Sequence, residues 1–306
     1  MLHAIDGTPA SPLTFGTMQF GGGADARASA QMWAESREAG ITHFDTAWIY
    51  TDGRSEAITG ELIGEERESL LIATKAAYEG GAGEANIRAQ LDTSRRRLAL
   101  DCLDILYMHR FDPETPLEDT FETLATLQAE GLIRYIGVSN YAAWQVMKAQ
   151  SVAARLGTRI DIVQPMYSLV KRQAEVEIFP MAQDQEIFIA PYSPLGGGLL
   201  TGKYARGGSG RLTTDDRYRM RYAEAHMHDT AAGLAKLAER EGVHPATLAV
   251  AWAANHAAAP APIVSARSAD QLAPSLARCN MTAALRAEIT ALGPRVAPAT
   301  DRLEEA

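Results

Sequence analysis

The sequence contains only two cysteines, Cys102 and Cys279, among 306 residues. Two cysteines cannot form a disulfide framework, so we expect reduced thiols and a cytoplasmic protein. The sequence also lacks a stretch of about 18 uninterrupted apolar residues, which argues against a membrane-spanning helix. Its first ten residues, MLHAIDGTPA, lack the basic segment and apolar core of a secretory signal. We therefore expect neither a membrane partner nor export.

Positive charge is also scarce, since 29 Lys and Arg residues stand against 38 Asp and Glu residues, a formal net charge of −9. An acidic protein repels the phosphate backbone unless a basic patch offsets its charge, so nucleic acid is not an expected partner. Metal-ligand spacing is missing as well, because His226 and His228 are two residues apart and would diverge on a helix. We expect a small-molecule partner and no metal, and the sequence leaves the oligomeric state open.

What the sequence does contain is a regular alternation of short apolar runs and longer amphipathic segments. Eight runs have the length of a strand, and they cover residues 13–17, 42–46, 69–75, 103–109, 135–140, 161–165, 187–192 and 261–266. Six helical segments cover residues 24–39, 55–63, 84–98, 117–130, 144–156 and 225–241. Near-continuous apolarity is typical of parallel strands buried on both faces by crossover helices. Eight such strands without a linker predict an α/β fold, the (β/α)₈ TIM barrel, with an open doubly wound sheet as the alternative.

We expect one domain over residues 1–306, with the barrel core at about 13–293 and a tail at 294–306. One segment, residues 196–221, is long, rich in Gly and Arg, and without helical periodicity. It leaves the carboxyl end of a predicted strand, where barrel active sites are built. We therefore predict an active-site or cofactor loop here, with a disordered surface excursion as the alternative.

Four side chains of complementary chemistry follow successive predicted strands: Asp45, Tyr50, Lys75 and His109. A tyrosine hydroxyl is a poor acid at neutral pH, and a nearby lysine ammonium is expected to lower its pKa. A carboxylate would hold the lysine, and a histidine would orient a carbonyl oxygen. This set suits proton delivery to a developing alkoxide. Taken singly, each residue also has a structural explanation: a helix cap, an ordinary tyrosine, a solvated lysine and a core histidine.

Six motifs extend this pattern, and they read FDTAWIY, IATKAA, LYMHR, IGVSNY, VQPMYSL and APYSPLGGGLLTGKY. In order and spacing they resemble the aldo-keto reductases, from about residue 15 to residue 271. The resemblance implies a (β/α)₈ barrel that transfers hydride between NAD(P)H and a carbonyl. It also implies that Asp45, Tyr50, Lys75 and His109 form the catalytic tetrad, with Tyr50 as the general acid.

The resemblance implies a cofactor site spread over several strand ends. The nicotinamide end would contact Gly16, Thr17, Met18, Asp45, Ser139, Asn140, Gln164 and the ring of Tyr192. The pyrophosphate would be wrapped by Ser193, Leu195, Gly196, Leu199, Gly202 and Lys203. The adenosine end would contact Ser265, Arg267, Gln271 and Ser275. The family commonly has Pro and Gly where this chain has Val264 and Ser265, and Asn where it has Ser275, which weakens the adenine assignment.

Arg267 favours NADP(H) over NAD(H), because a guanidinium suits a 2′-phosphate. A surface arginine at the start of a helix is the alternative. A competing phosphate motif, GGLLTGK at residues 197–203, nearly matches a P-loop, but the next residue is Tyr204 rather than Ser or Thr. We therefore expect NADPH/NADP⁺ as the cofactor.

Substrate contacts are expected from Trp48, Tyr50, His109 and Tyr141, and Tyr78 is a further candidate. The loop carries five arginines and two aspartates: Arg206, Arg211, Arg217, Arg219, Arg221, Asp215 and Asp216. One hypothesis is that an arginine attracts an anionic or polyhydroxylated substrate, and a solvated charge run is the alternative. The sequence as a whole predicts NADPH-dependent reduction of an aldehyde or ketone to an alcohol. The alternatives are a sugar or alcohol dehydrogenase acting oxidatively, and a nucleotide-sensing binding subunit with slow turnover.

Overall fold

The computed structural model describes residues 1–302 and 304, and within them eight parallel strands form one sheet. The strands are β1 (Thr14–Gly16), β2 (His43–Asp45), β3 (Leu71–Ala76), β4 (Leu103–Met108), β5 (Ile133–Ser139), β6 (Ile162–Gln164), β7 (Phe188–Ile189) and β8 (Ile263–Val264). Each strand from β1 to β6 pairs with the next in sequence, and β8 pairs with β1. Backbone hydrogen bonds from Ala261 N to Ile189 O and from Ile263 N to Pro191 O, both 2.8 Å, close the gap between β7 and β8. The fold is therefore the predicted (β/α)₈ barrel, and the open doubly wound alternative is wrong.

Helices follow the strands and cover the outside of the barrel. Within the described residues they are α1 (Ala26–Glu38), α2 (Arg54–Ile63), α3 (Glu84–Leu98), α4 (Leu117–Ala129), α5 (Ala143–Arg155), α6 (Ile178–Asp184), α7 (Arg211–Thr214), α8 (Asp216–Arg221), α9 (Ala225–Glu241), α10 (Pro245–Ala254), α11 (Ala269–Leu276) and α12 (Ala283–Thr290). Each of the six helical segments expected from the sequence is present. None of these helices is long and apolar enough to cross a membrane.

The helices that the sequence did not predict have physical reasons for their weak signal. Seven of the ten residues of α10 are buried, so an apolar stripe with a polar opposite face is missing. α11 contains Pro274, which normally argues against a helix interior. Residues 196–221, which lack helical periodicity in the sequence, contain the short helices α7 and α8. These two helices have four and six residues, too few for periodicity to be visible.

The interior of the barrel is filled by side chains rather than open. The inward-facing cluster comprises Leu71, Ala73, Ile105, Tyr107, Ile162, Ala190 and Ile263, together with Leu2 and Ala4 from the N-terminal segment. Gly137 on β5 makes room for Tyr107, since a Cβ there would lie 2.4 Å from the tyrosine ring. A packed interior leaves the carboxyl ends of the strands as the place for a ligand.

A buried carboxylate at the opposite end of the barrel ties three segments together. Asp104 near the start of β4 accepts a hydrogen bond from Ile72 N at 2.9 Å. Its two oxygens also pair with Arg67 at 2.8 Å and Arg134 at 2.6 Å. Arg134 in turn donates to Ala4 O at 3.3 Å. Asp104 therefore connects β3, β5 and the N-terminal segment around its own strand.

Replacing Asp104 with Ala is expected to lower the free energy of unfolding by about 3 kcal/mol, because two arginines and one backbone amide lose their acceptor. Urea unfolding followed by circular dichroism measures the change. The matched control is Asp101→Ala at an exposed position three residues earlier, which should cost less than about 0.5 kcal/mol. Equal losses in the two variants would contradict the role given to Asp104.

Candidate active site

A buried ion pair occupies the carboxyl ends of β2 and β3. These neighbouring strands end at Asp45 and Ala76, so the Asp45 and Lys75 side chains meet at one rim. Lys75 Nζ lies 2.5 Å from Asp45 Oδ2 and donates to Thr46 O at 2.7 Å. Burial lowers the pKa of Lys75, and the Asp45 carboxylate opposes that shift. The lysine ammonium is thus removed from water but paired.

Tyr50 is held beside this pair by a tight turn. Its amide donates to Ala47 O at 3.0 Å, and a 3₁₀ turn over Tyr50–Gly53 follows. Three successive residues in that turn have positive φ, of which only Gly53 adopts it without strain. Lys75 Nζ lies 3.4 Å from Tyr50 Oη and 5.0 Å from the centre of the ring. The turn therefore places the hydroxyl within reach of the ammonium.

The direction of the Tyr50 pKa shift corrects the expectation from sequence. Burial raises the pKa of Tyr50 well above its ordinary value, and the charge of Asp45 raises it further. The expected lowering by Lys75 does not prevail over these two effects. Tyr50 is accordingly a neutral phenol at physiological pH, which is the form that donates a proton.

His109 ends the buried run of β4 and faces the same rim. Its amide donates to Ala76 O at 2.9 Å, and its ring centre lies 5.9 Å from that of Tyr50 at a steep angle. Burial, reinforced by the charges of Lys75 and Arg110, lowers the pKa of His109 to about 3. Its Nδ1 is buried without a hydrogen bond to any described residue. The imidazole is therefore neutral, with unused capacity to bond a ligand.

Amide and hydroxyl side chains from β5, β6 and β7 complete one side of the rim. Gln164 Nε2 donates to the free oxygen of Asp45 at 2.9 Å, and Ser139 Oγ donates to Gln164 O at 3.0 Å. Asn140 Nδ2 donates to Ser139 Oγ at 3.1 Å and to His109 O at 2.9 Å. Tyr192 Oη donates to Asn140 Oδ1 at 2.7 Å. A continuous network thus joins these residues to the ion pair, as the sequence grouping suggested.

The carboxyl ends of β1 and β8 form the adjoining side of the rim. Thr17 N donates to Asp45 O at 2.9 Å, and Met18 follows half-buried. Gly16 is needed for close approach, since a Cβ there would lie 2.8 Å from an Ile263 methyl group. Ser265, just beyond β8, has a buried hydroxyl without a hydrogen bond to any described residue.

Arg267 lies near the start of α11, where it contacts the loop after β1. Its Nε donates to Gln19 Oε1 at 3.3 Å, and its backbone amide donates to Gln271 Oε1 at 3.3 Å. Arg267 and Gln271 are exposed, whereas Ser275 is buried within α11. Arg267 and Gln271 are therefore the two side chains that this surface offers to solvent.

The backbone of the segment after β7 changes direction at several glycines. Gly196, Gly197 and Gly198 all have positive φ, between 57° and 95°, and Gly202 has a φ of 73°. Leu199 is buried and Leu195 and Ser193 are half-buried, so the backbone forms much of the exposed surface. Lys203 Nζ lies 4.9 Å from the centre of the Tyr204 ring. The segment offers backbone amides and one ammonium beside the rim.

Four of the five arginines in the loop contact neighbouring side chains. Arg217 pairs with Asp215 and Arg219 pairs with Asp216. Arg211 donates to Tyr218 Oη at 3.2 Å, and the Arg221 guanidinium lies 5.3 Å from the Tyr218 ring centre. Tyr218 raises the pKa of Tyr50 and Arg211 lowers it, so α7 and α8 carry groups close enough to act on Tyr50.

The three aromatic residues that the sequence suggests for substrate contact, Trp48, Tyr141 and Tyr78, have different surroundings. Trp48 is half-buried, and its carbonyl accepts from Arg97 at 3.0 Å. Tyr141 is buried with its ring edge-on to Phe111 at 5.3 Å. Tyr78 instead lies 4.9 Å from the His109 ring. Of the three aromatic residues, Tyr78 is the one that the structure brings against the imidazole.

Glu56 is a supporting residue that the sequence analysis missed. It is fully buried on α2, where it accepts from Thr74 Oγ1 at 2.6 Å and from Arg97 at 3.0 Å. Thr74 precedes Lys75, and Arg97 also holds the backbone of Trp48. An acidic residue in the first turn of a helix is ordinary, so the sequence carries no signal that distinguishes it.

Comparison with known proteins agrees with this geometry. The family model of the aldo/keto reductase family matches residues 12–292. The chain belongs to the aldo/keto reductase family, whose members named below include oxidoreductases.

Relatives of several kinds are similar to this chain. The uncharacterized oxidoreductase YrpG of Bacillus subtilis is 33% identical over 87% of this chain and 86% of its own length. A probable voltage-gated potassium channel subunit beta of Oryza sativa subsp. japonica is 31% identical over 92% of each protein. Aflatoxin B1 aldehyde reductase member 2 of Rattus norvegicus is 38% identical over 66% of this chain and 57% of its own length.

The depressed pKa of His109 makes stability depend on pH. The unfolded histidine binds a proton below about pH 6.5, whereas the folded one binds it only near pH 3. The free energy of unfolding should therefore fall as pH decreases from 6.5, by up to about 1.4 kcal/mol per pH unit for this residue. Urea unfolding between pH 7 and 5 should show a shallower slope in His109→Gln than in the wild type. The exposed control His3→Gln should keep the wild-type slope, and a wild-type slope in His109→Gln would contradict the prediction.

Proposed function

We propose that this protein reduces an aldehyde or ketone to an alcohol by hydride transfer from NADPH, with Tyr50 as the general acid. The observation that carries the proposal is the convergence of Tyr50, the Asp45–Lys75 pair and a neutral His109 at one rim. Tyr50 Oη lies 3.4 Å from Lys75 Nζ, and the Tyr50 and His109 rings are 5.9 Å apart. A carbonyl oxygen between the phenol and the imidazole would meet two hydrogen-bond donors.

The four residues have distinct roles in this proposal. The neutral Tyr50 phenol donates its proton to the oxygen as negative charge develops there. The Lys75 ammonium stabilises the phenolate that remains, and Asp45 holds that ammonium in place. His109, neutral at physiological pH, donates a hydrogen bond that orients the carbonyl oxygen. These roles account for why a buried cation, a buried anion and a buried phenol are kept together.

The rim also fits a nicotinamide dinucleotide. Ser139, Asn140 and Gln164 offer amide and hydroxyl groups for a carboxamide, and the Tyr192 ring lies beside them. The buried Ser265 hydroxyl lacks a partner among the described residues, and the three glycines at 196–198 place no side chain between their backbone and a phosphate. A bound nicotinamide cofactor would supply the hydride. Contacts with it are proposed for these residues and for Gly16, Thr17, Met18, Ser193, Leu195, Leu199, Gly202 and Lys203.

The layout of the chain is proposed on the same grounds. Residues 13–293 would form the barrel core, residues 196–221 the loop that covers the cofactor and substrate, and residues 294–306 the tail. The position of α7 and α8 beside Tyr50 supports the role of the loop. Because relatives include a protein named as a channel subunit, binding of NADPH without turnover is the second candidate, and the first experiment separates the two.

Replacing Tyr50 with Phe removes the proton donor without changing the size of the ring. NADPH oxidation with a panel of aromatic, sugar and aliphatic aldehydes should fall at least about 100-fold, the usual contribution of a general acid. The dissociation constant of NADPH should change less than about threefold. The control is Tyr135→Phe, the same chemical change near the other end of β5. Parallel losses of turnover and NADPH affinity would contradict the role of Tyr50, and tight binding without turnover in the wild type would favour a sensing subunit.

Arg267 is proposed to recognise the 2′-phosphate of NADPH. Replacing it with Gln should raise the KM for NADPH about tenfold, because a charge-assisted hydrogen bond to phosphate is lost, and should leave the KM for NADH unchanged. Steady-state rates with each cofactor measure this effect. Arg278→Gln, at an exposed position after α11, is the matched control. A wild-type NADPH/NADH ratio in Arg267→Gln would remove the assignment.

A further inference from the structure

Tyr78 stands at the mouth of the candidate active site, between the imidazole and a cationic side chain. Its ring centre lies 4.9 Å from that of His109. The guanidinium carbon of Arg110 lies 5.0 Å from the centre of the same ring. Tyr78 and Arg110 are both exposed, so solvent reaches the guanidinium. A molecule approaching His109 along Tyr78 would pass Arg110.

Arg110 is not used by the fold. Among the residues that the structure describes, its guanidinium forms no ion pair or hydrogen bond, and its contact is the face of Tyr78. The Asp112 carboxylate nearby is occupied by Ala82 N at 2.8 Å, Glu114 N at 3.1 Å and Thr115 Oγ1 at 2.6 Å. Asp112 therefore holds the loop after β4, and its oxygens are taken by donors other than Arg110.

Nearer to the imidazole, the other charges form a balanced pair. Asp45 and Lys75 neutralise each other, and His109 is uncharged at physiological pH. Arg217 and Arg219 of the loop pair with Asp215 and Asp216, and Arg211 and Arg221 contact Tyr218, as described above. Arg110 thus supplies positive charge that no described side chain balances by contact.

We infer that Arg110 binds the anionic group of the substrate, and that the preferred substrates are aldehydes carrying a carboxylate one aromatic ring or a short chain away from the carbonyl. The inference rests on the proposed function, because it takes His109 as the group that meets the carbonyl oxygen. The spacing follows from the two distances to the centre of the Tyr78 ring, 4.9 Å from the imidazole centre and 5.0 Å from the guanidinium carbon, which put the two groups within about 10 Å of each other. Arg110 is then the anion-binding residue, rather than one of the loop arginines named in the sequence analysis.

The size of the expected effect follows from the exposure of Arg110. A solvated ion pair contributes at most about 1 kcal/mol, which corresponds to about a fivefold change in kcat/KM. The effect should appear mainly in KM, because the guanidinium lies outside the reacting atoms. It should also decrease as ionic strength rises, since salt screens exposed charges.

The test compares 4-carboxybenzaldehyde with its neutral methyl ester, methyl 4-formylbenzoate, in the full-length protein with NADPH. The ratio of their kcat/KM values is measured for the wild type, Arg110→Gln, Arg110→Lys and Arg155→Gln. Arg155 is an exposed arginine at the end of α5, so its substitution changes the net charge equally. We expect the ratio to fall about fivefold in Arg110→Gln, to be largely restored in Arg110→Lys, and to stay at the wild-type value in Arg155→Gln.

A wild-type ratio in Arg110→Gln would overturn the inference, and so would an equal loss for both aldehydes. Calorimetric titration of 4-carboxybenzaldehyde into the wild type and Arg110→Gln provides a readout that does not require turnover. About fivefold weaker binding to the variant supports the inference even if neither aldehyde is reduced, in which case the proposed reduction alone fails. Equal affinity, or no binding to the wild type, overturns it.

Discussion

The buried ion pair between Asp45 and Lys75 is the constraint on which the rest of the rim depends. A lysine ammonium removed from water without a partner would cost several kcal/mol. Asp45 and the carbonyl of Thr46 remove that cost, and Gln164 occupies the remaining carboxylate oxygen. The pair therefore fixes the ends of β2, β3 and β6 relative to one another. The Lys75 ammonium is thereby fixed, and the Tyr50 hydroxyl lies 3.4 Å from it.

This pairing also determines the electrostatic character of the site. Burial is the largest effect on Tyr50, the charge of Asp45 acts in the same direction, and the pKa of Tyr50 rises. Burial acts in the opposite direction on His109, whose pKa falls to about 3. The two shifts leave both groups neutral at physiological pH, so each can donate a hydrogen bond to a carbonyl oxygen. A site with a paired cation and two neutral donors suits charge that develops on oxygen during reaction.

The sequence predicted the barrel and the members of the tetrad for one shared reason. Strands buried on both faces read as apolar runs, and the carboxyl ends of parallel strands meet at one rim, so Asp45, Lys75 and His109 had to converge. The sequence could not predict the direction of the Tyr50 pKa shift, which results from burial and charge compensation in three dimensions. It also could not rank Tyr78 above Tyr141, because both follow strands and only packing distinguishes them. The missed helix α10 lost its periodic signal through burial on most sides.

The two ends of the barrel use buried charge in different ways. At the lower end Asp104 meets two arginines and a backbone amide, so its hydrogen-bonding capacity is used within the fold. At the upper rim three buried polar atoms, on Trp48, His109 and Ser265, have no partner among the described residues. Buried polar atoms are normally satisfied, so unsatisfied ones on segments that follow strand ends mark the place where a ligand completes the structure. Asp104 and its partners connect segments of the barrel at the lower end, and the unsatisfied atoms at the upper rim support the ligand site proposed there.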